Sequence, residues 1–307
     1  MTMTSRKPRV QRRPSPQRRK LNITAYVLIG PFIVVFLAMV IAPLVYAGFL
    51  SLFQTRLIGG EQFVGLANFG KALTDPVFLT GVGRVTVFLL IQVPIMLGLA
   101  LFFALAIDSG RMRGSRFSRI AIFVPFAVPG VVAALMWGYL YGDDFGPIAQ
   151  SIRAFGLPSP DLLSNELILF SMMNIVTWSF VGYNMIIMYA ALRAIPTELY
   201  EAAEIDGAGA IRVAWSIKVP AIRPAIMLTL IFSIIGSFQL FTEPTLLAAI
   251  APNVIGTSYT PNMYAYTLAF RFQDVNYAAA VAFLLGFVIM IISYVVQLSG
   301  RRAEARR

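Results

Sequence analysis

The side chains that most often carry out enzymatic chemistry are missing from this sequence. None of its 307 residues is cysteine or histidine. Their absence excludes disulfides and thiolate metal sites, and it removes the usual general base and metal ligand. The 14 Asp and Glu residues leave open an enzyme built from carboxylates alone. We therefore predict no catalytic residue and no metal site in this chain.

One short pattern has the spacing of a nucleotide-binding loop. The segment GLANFGKA, residues 65–72, fits G-x-x-x-x-G-K, in which backbone amides and the lysine hold phosphates. It ends in Ala72, where such a loop carries the Ser or Thr that binds Mg²⁺. The chain has no other candidate. We therefore predict no cofactor in this chain, and any ATP and Mg²⁺ would be held by a partner ATPase.

The elements that must position any site are six long apolar runs. The chain is 58% hydrophobic and 13% charged, whereas a soluble domain is about 25% charged. Crossing the hydrocarbon takes roughly 20 apolar residues. Within the runs the charged residues are Arg84 and Glu243, each near a predicted outer end. We predict an all-α integral membrane fold of six transmembrane helices, at about 25–53, 82–107, 120–141, 167–191, 225–249 and 277–298.

The positive charges predict how these helices are oriented. Of the 25 Lys and Arg residues, 20 lie in four segments that a six-span chain places on one side of the membrane. This positive-inside pattern predicts that both termini are cytoplasmic. We expect the basic tails to meet anionic membrane lipids and not nucleic acid. The four segments are residues 1–20, 111–119, 193–223 and 301–307.

The same patterns divide the chain into three regions. Residues 1–24 are rich in Pro and Arg and are predicted to be a disordered cytoplasmic tail. Residues 25–299 form the membrane domain, and residues 300–307 form a second basic cytoplasmic tail. The first apolar run is far longer than the 7–15 residues of a signal-peptide core. We therefore expect it to be a retained span.

A charged segment stands between the fourth and fifth apolar runs. Its sequence, ELYEAAEIDGAGAIRVAWSIKVPAIRP, covers residues 198–224. Pro196 suits a first helical turn, and acids near the start of a helix are favoured by its dipole. Gly207 and Gly209 are predicted to end that helix, and a second helix over 210–218 is predicted to stop at Val219–Pro220. Small alanines would let another surface approach closely, so we predict a docking element.

Within this segment the chain resembles a known family. EAAEIDGAGAIRVAWSIKVP is similar to the EAA loop of type I ABC importer permeases, although Ala214 and Val219 replace the family's Phe and Leu. AIPTELYEAAEIDGA and FVGLANFGKALTDP resemble the carbohydrate, maltose-type subclass. The resemblance covers about residues 25–299, and residues 196–220 are called the EAA segment below. The motif positions are Glu201, Ala202, Ala203, Gly207, Ala208, Ile217 and Pro220.

The resemblance implies a function, a location and partners. The chain is expected to be a multi-pass permease of a prokaryotic cell membrane, with the type I importer fold and no enzymatic activity. The EAA segment would be the coupling helix that docks into a cytoplasmic ATPase, where Glu201 makes a polar contact and Gly207 provides a sharp turn. The implied partners are an ATPase dimer, a second related permease subunit and an extracytoplasmic solute-binding protein. ATP-driven closure would switch the permease between inward- and outward-facing states.

The resemblance also implies that sugar contacts come mainly from the fourth and fifth spans. Polar groups there either line a solute path or hold helices together. Ser237 and Gln239 compete for one role, and Trp178 and Tyr183 offer rings for stacking on a sugar. The path candidates are Asn174, Trp178, Ser179, Tyr183, Asn184, Ser233, Ser237, Gln239 and Thr242.

Two alternatives stay open at this point. A permease of the same kind for another solute, such as a glycerophosphodiester or a polyol, fits the same motifs. A secondary transporter belongs to a different class, and it would be expected to carry charged residues near the membrane midplane. The sequence has none in such a position, and it has the EAA segment. The ATP-driven sugar importer is therefore the favoured hypothesis.

Overall fold

The first of two compact units is helical. The computed structural model describes residues 16–56, 58–110 and 114–304, and the chain divides after Leu50. Helix α1 (Pro16–Phe36) continues through a π-helical turn (Leu37–Ile41) into α2 (Ala42–Leu50). Residues 16–24 of the predicted tail at 1–24 are part of helix α1, and residues 1–15 lie outside the described ranges.

The second unit opens with a β-hairpin that the all-α prediction did not include. Strand β1 (Phe53–Arg56) pairs antiparallel with β2 (Gly60–Phe63), and Phe53 faces Phe63 across the ladder. The following helix α3 (Ala67–Thr74) is tied to the hairpin by Asn68. The Asn68 amide donates to the carbonyl oxygens of Ser51 at 2.9 Å and Phe53 at 2.8 Å.

Helix α4 (Pro76–Asp108) is the longest element of the second unit. Asp75 precedes it and caps it, because its carboxylate accepts from the Val77 amide at 2.9 Å. Its 33 residues correspond to about 50 Å of helix. Alanines on one face, among them Ala100 and Ala104, are fully buried against α8 (Ile168–Leu192).

The third predicted span, 120–141, is not one straight helix. It consists of α5 (Ser115–Ala127) and α6 (Gly130–Tyr141), whose axes are bent by 96°. Val128 between them is extended, with φ −76° and ψ 125°, because the α conformation is disfavoured before Pro129. Helix α5 approaches α8 closely at Gly182, where an added Cβ would overlap the backbone of Ile122.

The C-terminal half contains two further long segments. Helix α12 (Arg223–Phe238) breaks at Gln239 and resumes as α13 (Thr242–Leu247), and α15 (Val275–Glu304) ends the described chain. The shorter elements are α7 (Pro147–Ala154), α9 (Glu198–Ile205), α10 (Ala210–Val213), α11 (Val219–Ala221), α14 (Pro261–Tyr266) and the π-helical segments 214–218 and 267–271.

Five helices in the described residues are long and apolar enough to cross a membrane, and the bent pair α5–α6 makes a sixth candidate. Each predicted apolar run corresponds to one of these elements. Their exposed surfaces carry many large apolar side chains, as expected for helices that contact lipid. The five helical spans are Tyr26–Leu50, Pro76–Asp108, Ile168–Leu192, Arg223–Leu247 and Val275–Gly300.

Candidate coupling surface and solute cavity

The first half of the EAA segment is helix α9 and a left-handed turn. Gly207 has φ 71°, a conformation that an L side chain adopts only at a cost. The Ala208 amide donates to the Ala203 carbonyl at 2.9 Å, the 6→1 hydrogen bond that closes a Schellman helix end. Glu201 and Ala202 are exposed, whereas Ala203 is buried at 9% exposure.

The second half of the segment is helical beyond its predicted end. Helix α10 continues through a π-helical segment at 214–218 into α11, so Val219–Pro220 does not stop the helix. Pro220 is the second residue of α11, directly after the π-helical segment. The break comes at Ile222, which has φ −93° and ψ 9°. Ile217 and Pro220 are half-buried.

The exposed side of the segment is apolar as well as acidic. Ile205 is 87% exposed, Ile211 is 78% exposed and Trp215 is 64% exposed. Large apolar side chains grouped on a polar loop are typical of a protein contact site. Glu201 is exposed on the same segment. The EAA segment therefore exposes large apolar side chains together with an acidic group.

An ion pair connects the EAA segment to the end of α4. The Lys218 ammonium lies 2.5 Å from the Asp108 carboxylate, and it lies 4.8 Å from the centre of the Tyr200 ring. Burial raises the pKa of the Tyr200 hydroxyl, and the negative charge of Asp108 raises it further. The end of α4, α9 and the π-helical segment therefore meet at one ion pair.

A cavity of about 310 Å³ opens between α4, α8 and α12. Ser237 donates to the Ser233 carbonyl at 2.8 Å, and Asn184 donates to the Phe180 carbonyl at 3.0 Å. Gln239 is exposed at the break between α12 and α13. Among the path candidates, the wall contains Tyr183, Asn184, Ser233, Ser237, Gln239 and Thr242, and Glu243 also borders it.

Three path candidates are not on this wall. Trp178 packs edge-on against Trp137 at 5.8 Å between ring centres, and Asn174 donates to the Tyr141 hydroxyl at 2.7 Å. Ser179 is half-buried outside the cavity. Asn174 and Trp178 therefore join α8 to α6. Tyr183 does line the cavity, but Phe126 covers one face of its ring at 4.7 Å.

The prediction missed the wall that α4 provides. Phe88, Gln92 and Met96 line the cavity, and the Gln92 amide donates to the Thr177 hydroxyl at 3.3 Å. Gln92 is the one amide side chain in α4. An amide within a long apolar run is the sequence signal that would have indicated this wall.

The nucleotide-loop pattern at 65–72 has a different use in the structure. It does join strand β2 to helix α3, but Lys71 lies in the last turn of α3. Its ammonium stands 3.8 Å from the centre of the Tyr277 ring. Lys71 is therefore engaged with α15 and does not reach back toward the glycine turn.

These features together describe a membrane protein with an exposed EAA segment and an internal cavity, and comparison with known proteins gives the family. Residues 96–306 match the family described as "Binding-protein-dependent transport system inner membrane component". The chain belongs to this family. It is the transmembrane permease of an ABC importer, a transport subunit of a prokaryotic cell membrane and not the ATPase.

Curated relatives match nearly the whole chain. The arabinooligosaccharides transport system permease of Halalkalibacterium halodurans is 30% identical over 89% of this chain and 86% of its own length. The diacetylchitobiose uptake system permease of Streptomyces coelicolor is 30% identical over 93% of this chain and 86% of its own. The sn-glycerol-3-phosphate transport system permease of Salmonella choleraesuis is 31% identical over 88% of this chain and 91% of its own length.

Solved structures match the fold. A bacterial ABC transporter involved in the import of alginate aligns with a TM-score of 0.81 at 19% identity, over 93% of this chain and 98% of that chain. The same kind of transporter in complex with a pentasaccharide-bound periplasmic protein aligns with a TM-score of 0.82 at 19% identity, over 94% and 97%. The predicted type I importer permease fold is confirmed.

Proposed function

We propose that the chain forms one half of the pathway of an ATP-driven importer for a neutral sugar or oligosaccharide. The observation that carries the proposal is the cavity between α4, α8 and α12. Hydroxyl and amide groups from Ser233, Ser237 and Gln239 border it together with aromatic rings. Such a wall can replace the water that sugar hydroxyls lose inside a membrane.

A phosphorylated solute is the second candidate, because one relative is a glycerol-3-phosphate permease. The described residues that line the cavity include Glu243 but neither Lys nor Arg. A phosphate would need a compensating positive charge in such a site. The charge of the wall therefore favours a neutral solute, such as a sugar or a polyol, over an anionic solute such as a glycerophosphodiester.

The EAA segment is proposed to dock into the ATPase. Its exposed apolar side chains and Glu201 would enter a cleft on that partner, and the turn at Gly207 allows the close approach. We propose that both termini face the cytoplasm, which puts the EAA segment and the basic tails on that side. ATP and Mg²⁺ would bind to the ATPase dimer, a binding protein would deliver the solute, and a second related permease would complete the pathway.

Transport by reconstituted complexes tests this proposal. Proteoliposomes would contain this permease, its candidate sister permease, the ATPase dimer and the binding protein. Uptake of a panel of neutral sugars and polyols would be compared with uptake of sn-glycerol 3-phosphate. We expect ATP-dependent uptake of a neutral solute. Uptake of sn-glycerol 3-phosphate alone would show that the solute is anionic and not neutral. Uptake without ATP would refute an ATP-driven importer.

A further inference from the structure

A buried ion pair connects the EAA segment to the end of α4. Lys218 Nζ and Asp108 Oδ2 are 2.5 Å apart, and 110 residues separate them along the chain. Their side chains are 14% and 5% exposed. Asp108 is the last residue of α4, and Lys218 is the last residue of the π-helical segment. The pair therefore joins two elements that are distant in sequence.

The pair borders a gap. A cavity of about 640 Å³ is lined by residues of both elements, and Asp108, Tyr200 and Lys218 are on its wall. Apolar packing nearby is provided by a cluster that includes Ile107 and Leu192. At the edge of this cavity, the attraction between Lys218 and Asp108 links the EAA segment directly to α4.

Burial of the two charges favours an intact ion pair. Removing one partner of a buried ion pair leaves an uncompensated charge, which is strongly unfavourable. Separating Lys218 from Asp108 would give up their direct attraction, which hydration from the adjoining cavity would replace only in part. The Tyr200 ring adds a favourable contact to the Lys218 ammonium at 4.8 Å. A displacement of the EAA segment should therefore carry the end of α4 with it.

We propose that the Asp108–Lys218 ion pair transmits movement of the EAA segment to α4, and through α4 to the wall of the solute cavity. Asp108 lies 16 residues beyond Gln92, which is about 24 Å along a helix. The opposite wall, on α12, follows the EAA segment directly in the chain. The inference rests on the proposed importer function, and it makes Asp108 and Lys218 positioning residues that touch neither solute nor ATP.

Because the chain has no cysteine, a single reporter cysteine can follow the cavity. All variants would carry Thr242→Cys on the cavity wall, in the complete complex in nanodiscs. A membrane-impermeant maleimide would be added, and its reaction with this chain would be timed with and without ATP and vanadate. The variants are Asp108→Asn, the exchange of both charges (Asp108→Lys with Lys218→Asp), and Asp143→Asn as the matched control. Asp143→Asn breaks an ion pair with Arg153 whose side chains are 43% and 47% exposed.

We expect trapped nucleotide to change the labelling rate at least about fivefold in the reference chain and in the control. Asp108→Asn should reduce the change to less than about twofold at unchanged nucleotide trapping, and the charge exchange should restore it. A full response in Asp108→Asn would overturn the proposal. If Asp108→Asn does not assemble, an assembled charge exchange without a response overturns it equally. A reference chain without a response would instead refute ATP-driven alternating access itself.

Discussion

Gly207 is predicted to serve both the folding of the EAA segment and its docking. Its left-handed φ of 71° ends α9, and the ideal Cβ position at this residue has no atom of the described residues within 4 Å. Space inside the chain therefore does not require glycine, whereas the backbone conformation does. A left-handed conformation costs a residue with a Cβ roughly 1–2 kcal/mol. The open space in front of Gly207 is available to a partner.

Substitutions in the EAA segment should uncouple transport from ATP hydrolysis. Gly207→Val strains the turn and adds bulk, and Glu201→Lys reverses an exposed charge. We expect both to abolish uptake and stimulated ATPase activity in reconstituted complexes while the chain stays in the membrane. Gly209→Val is the matched control, since Gly209 has φ −69° and open space around its Cβ position. Full stimulation in Gly207→Val and Glu201→Lys would contradict the docking role.

Gln239 is predicted to contribute to solute binding. Its side chain is exposed at the break in α12 and borders the cavity, whereas Ser237 already donates to a backbone carbonyl. Loss of one hydrogen bond to a solute is worth about 1.4 kcal/mol, or tenfold. We expect Gln239→Ala to raise the KM for uptake about tenfold. Asn174→Ala, outside the cavity wall, should leave KM unchanged; equal effects of both would argue against the cavity as the binding site.

At the scale of elements, the sequence predicted what depends on length and composition. Six apolar runs correspond to five helices and the bent pair, because the hydrocarbon thickness sets their length. Pro125 and Pro129 predict a bend in the third span, but the sequence does not give its angle of 96°, since proline in a membrane span often only kinks it. Asn174 and Trp178 stay predicted path residues, and their contacts with Tyr141 and Trp137 on α6 depend on tertiary packing that the sequence does not specify. The break at Gln239 likewise depends on how α12 packs and not on any proline.

A carboxylate with two tyrosine donors joins α4, α14 and α15. Asp75 accepts from the hydroxyls of Tyr264 at 2.6 Å and Tyr277 at 2.7 Å. Burial alone would raise the pKa of Asp75, but the tyrosine and backbone hydrogen bonds outweigh it and lower that pKa below its usual value. A lowered folded-state pKa means that the stabilisation is present above the unfolded-state pKa and disappears as pH falls through the folded-state pKa.

Asp75→Asn should therefore destabilise the protein at neutral pH and not in acid. Loss of the charged hydrogen bonds should cost about 2 kcal/mol at pH 7. Thermal unfolding of the detergent-solubilised protein would be measured at pH 7 and at successively lower pH. The unfolding midpoint of Asp75→Asn should be lower at pH 7, and the difference should shrink below about pH 4. A difference that is independent of pH would show that the carboxylate charge is not responsible.

The orientation of the chain in the membrane is a further prediction. An even number of spans and the basic segments predict that the end of α15 lies in the cytoplasm. We expect alkaline phosphatase, which is active only outside the cytoplasm, to be inactive when fused after Gly300. A fusion after Asn253, in a predicted outer connection, provides the positive control. Alkaline phosphatase activity in the fusion after Gly300 would show that the predicted orientation or the predicted number of spans is wrong.

For the whole molecule, the central fact is that this permease needs partners. Its family is defined by dependence on a binding protein, and the sequence carries no complete nucleotide-binding loop. One chain contains one EAA segment, and two coupling segments are needed if two ATPases are to move both halves of a pathway. The resemblance to the maltose-type subclass implies that the second segment belongs to a different permease, so we propose a pseudo-symmetric pair.

Native mass spectrometry of the purified complex tests this composition. We expect one copy of this chain, one sister permease and two ATPase subunits, with a binding protein added when solute is present. Co-expression of this chain with the ATPase alone is the control, and it should give no transport-competent assembly. Two copies of this chain with two ATPases, active in transport, would establish a homodimer instead.

The bend between α5 and α6 limits the surroundings that its backbone carbonyls can have in the membrane. Pro125 and Pro129 have no amide hydrogen, so the carbonyls of Ala121 and Pro125 lose their usual helical donors. The Val128 amide donates to the Pro125 carbonyl at 3.1 Å, and Ala121 is exposed in the single chain. Acyl chains offer no hydrogen-bond donors. The Ala121 carbonyl should therefore be faced by water or by a neighbouring protein and not by lipid alone.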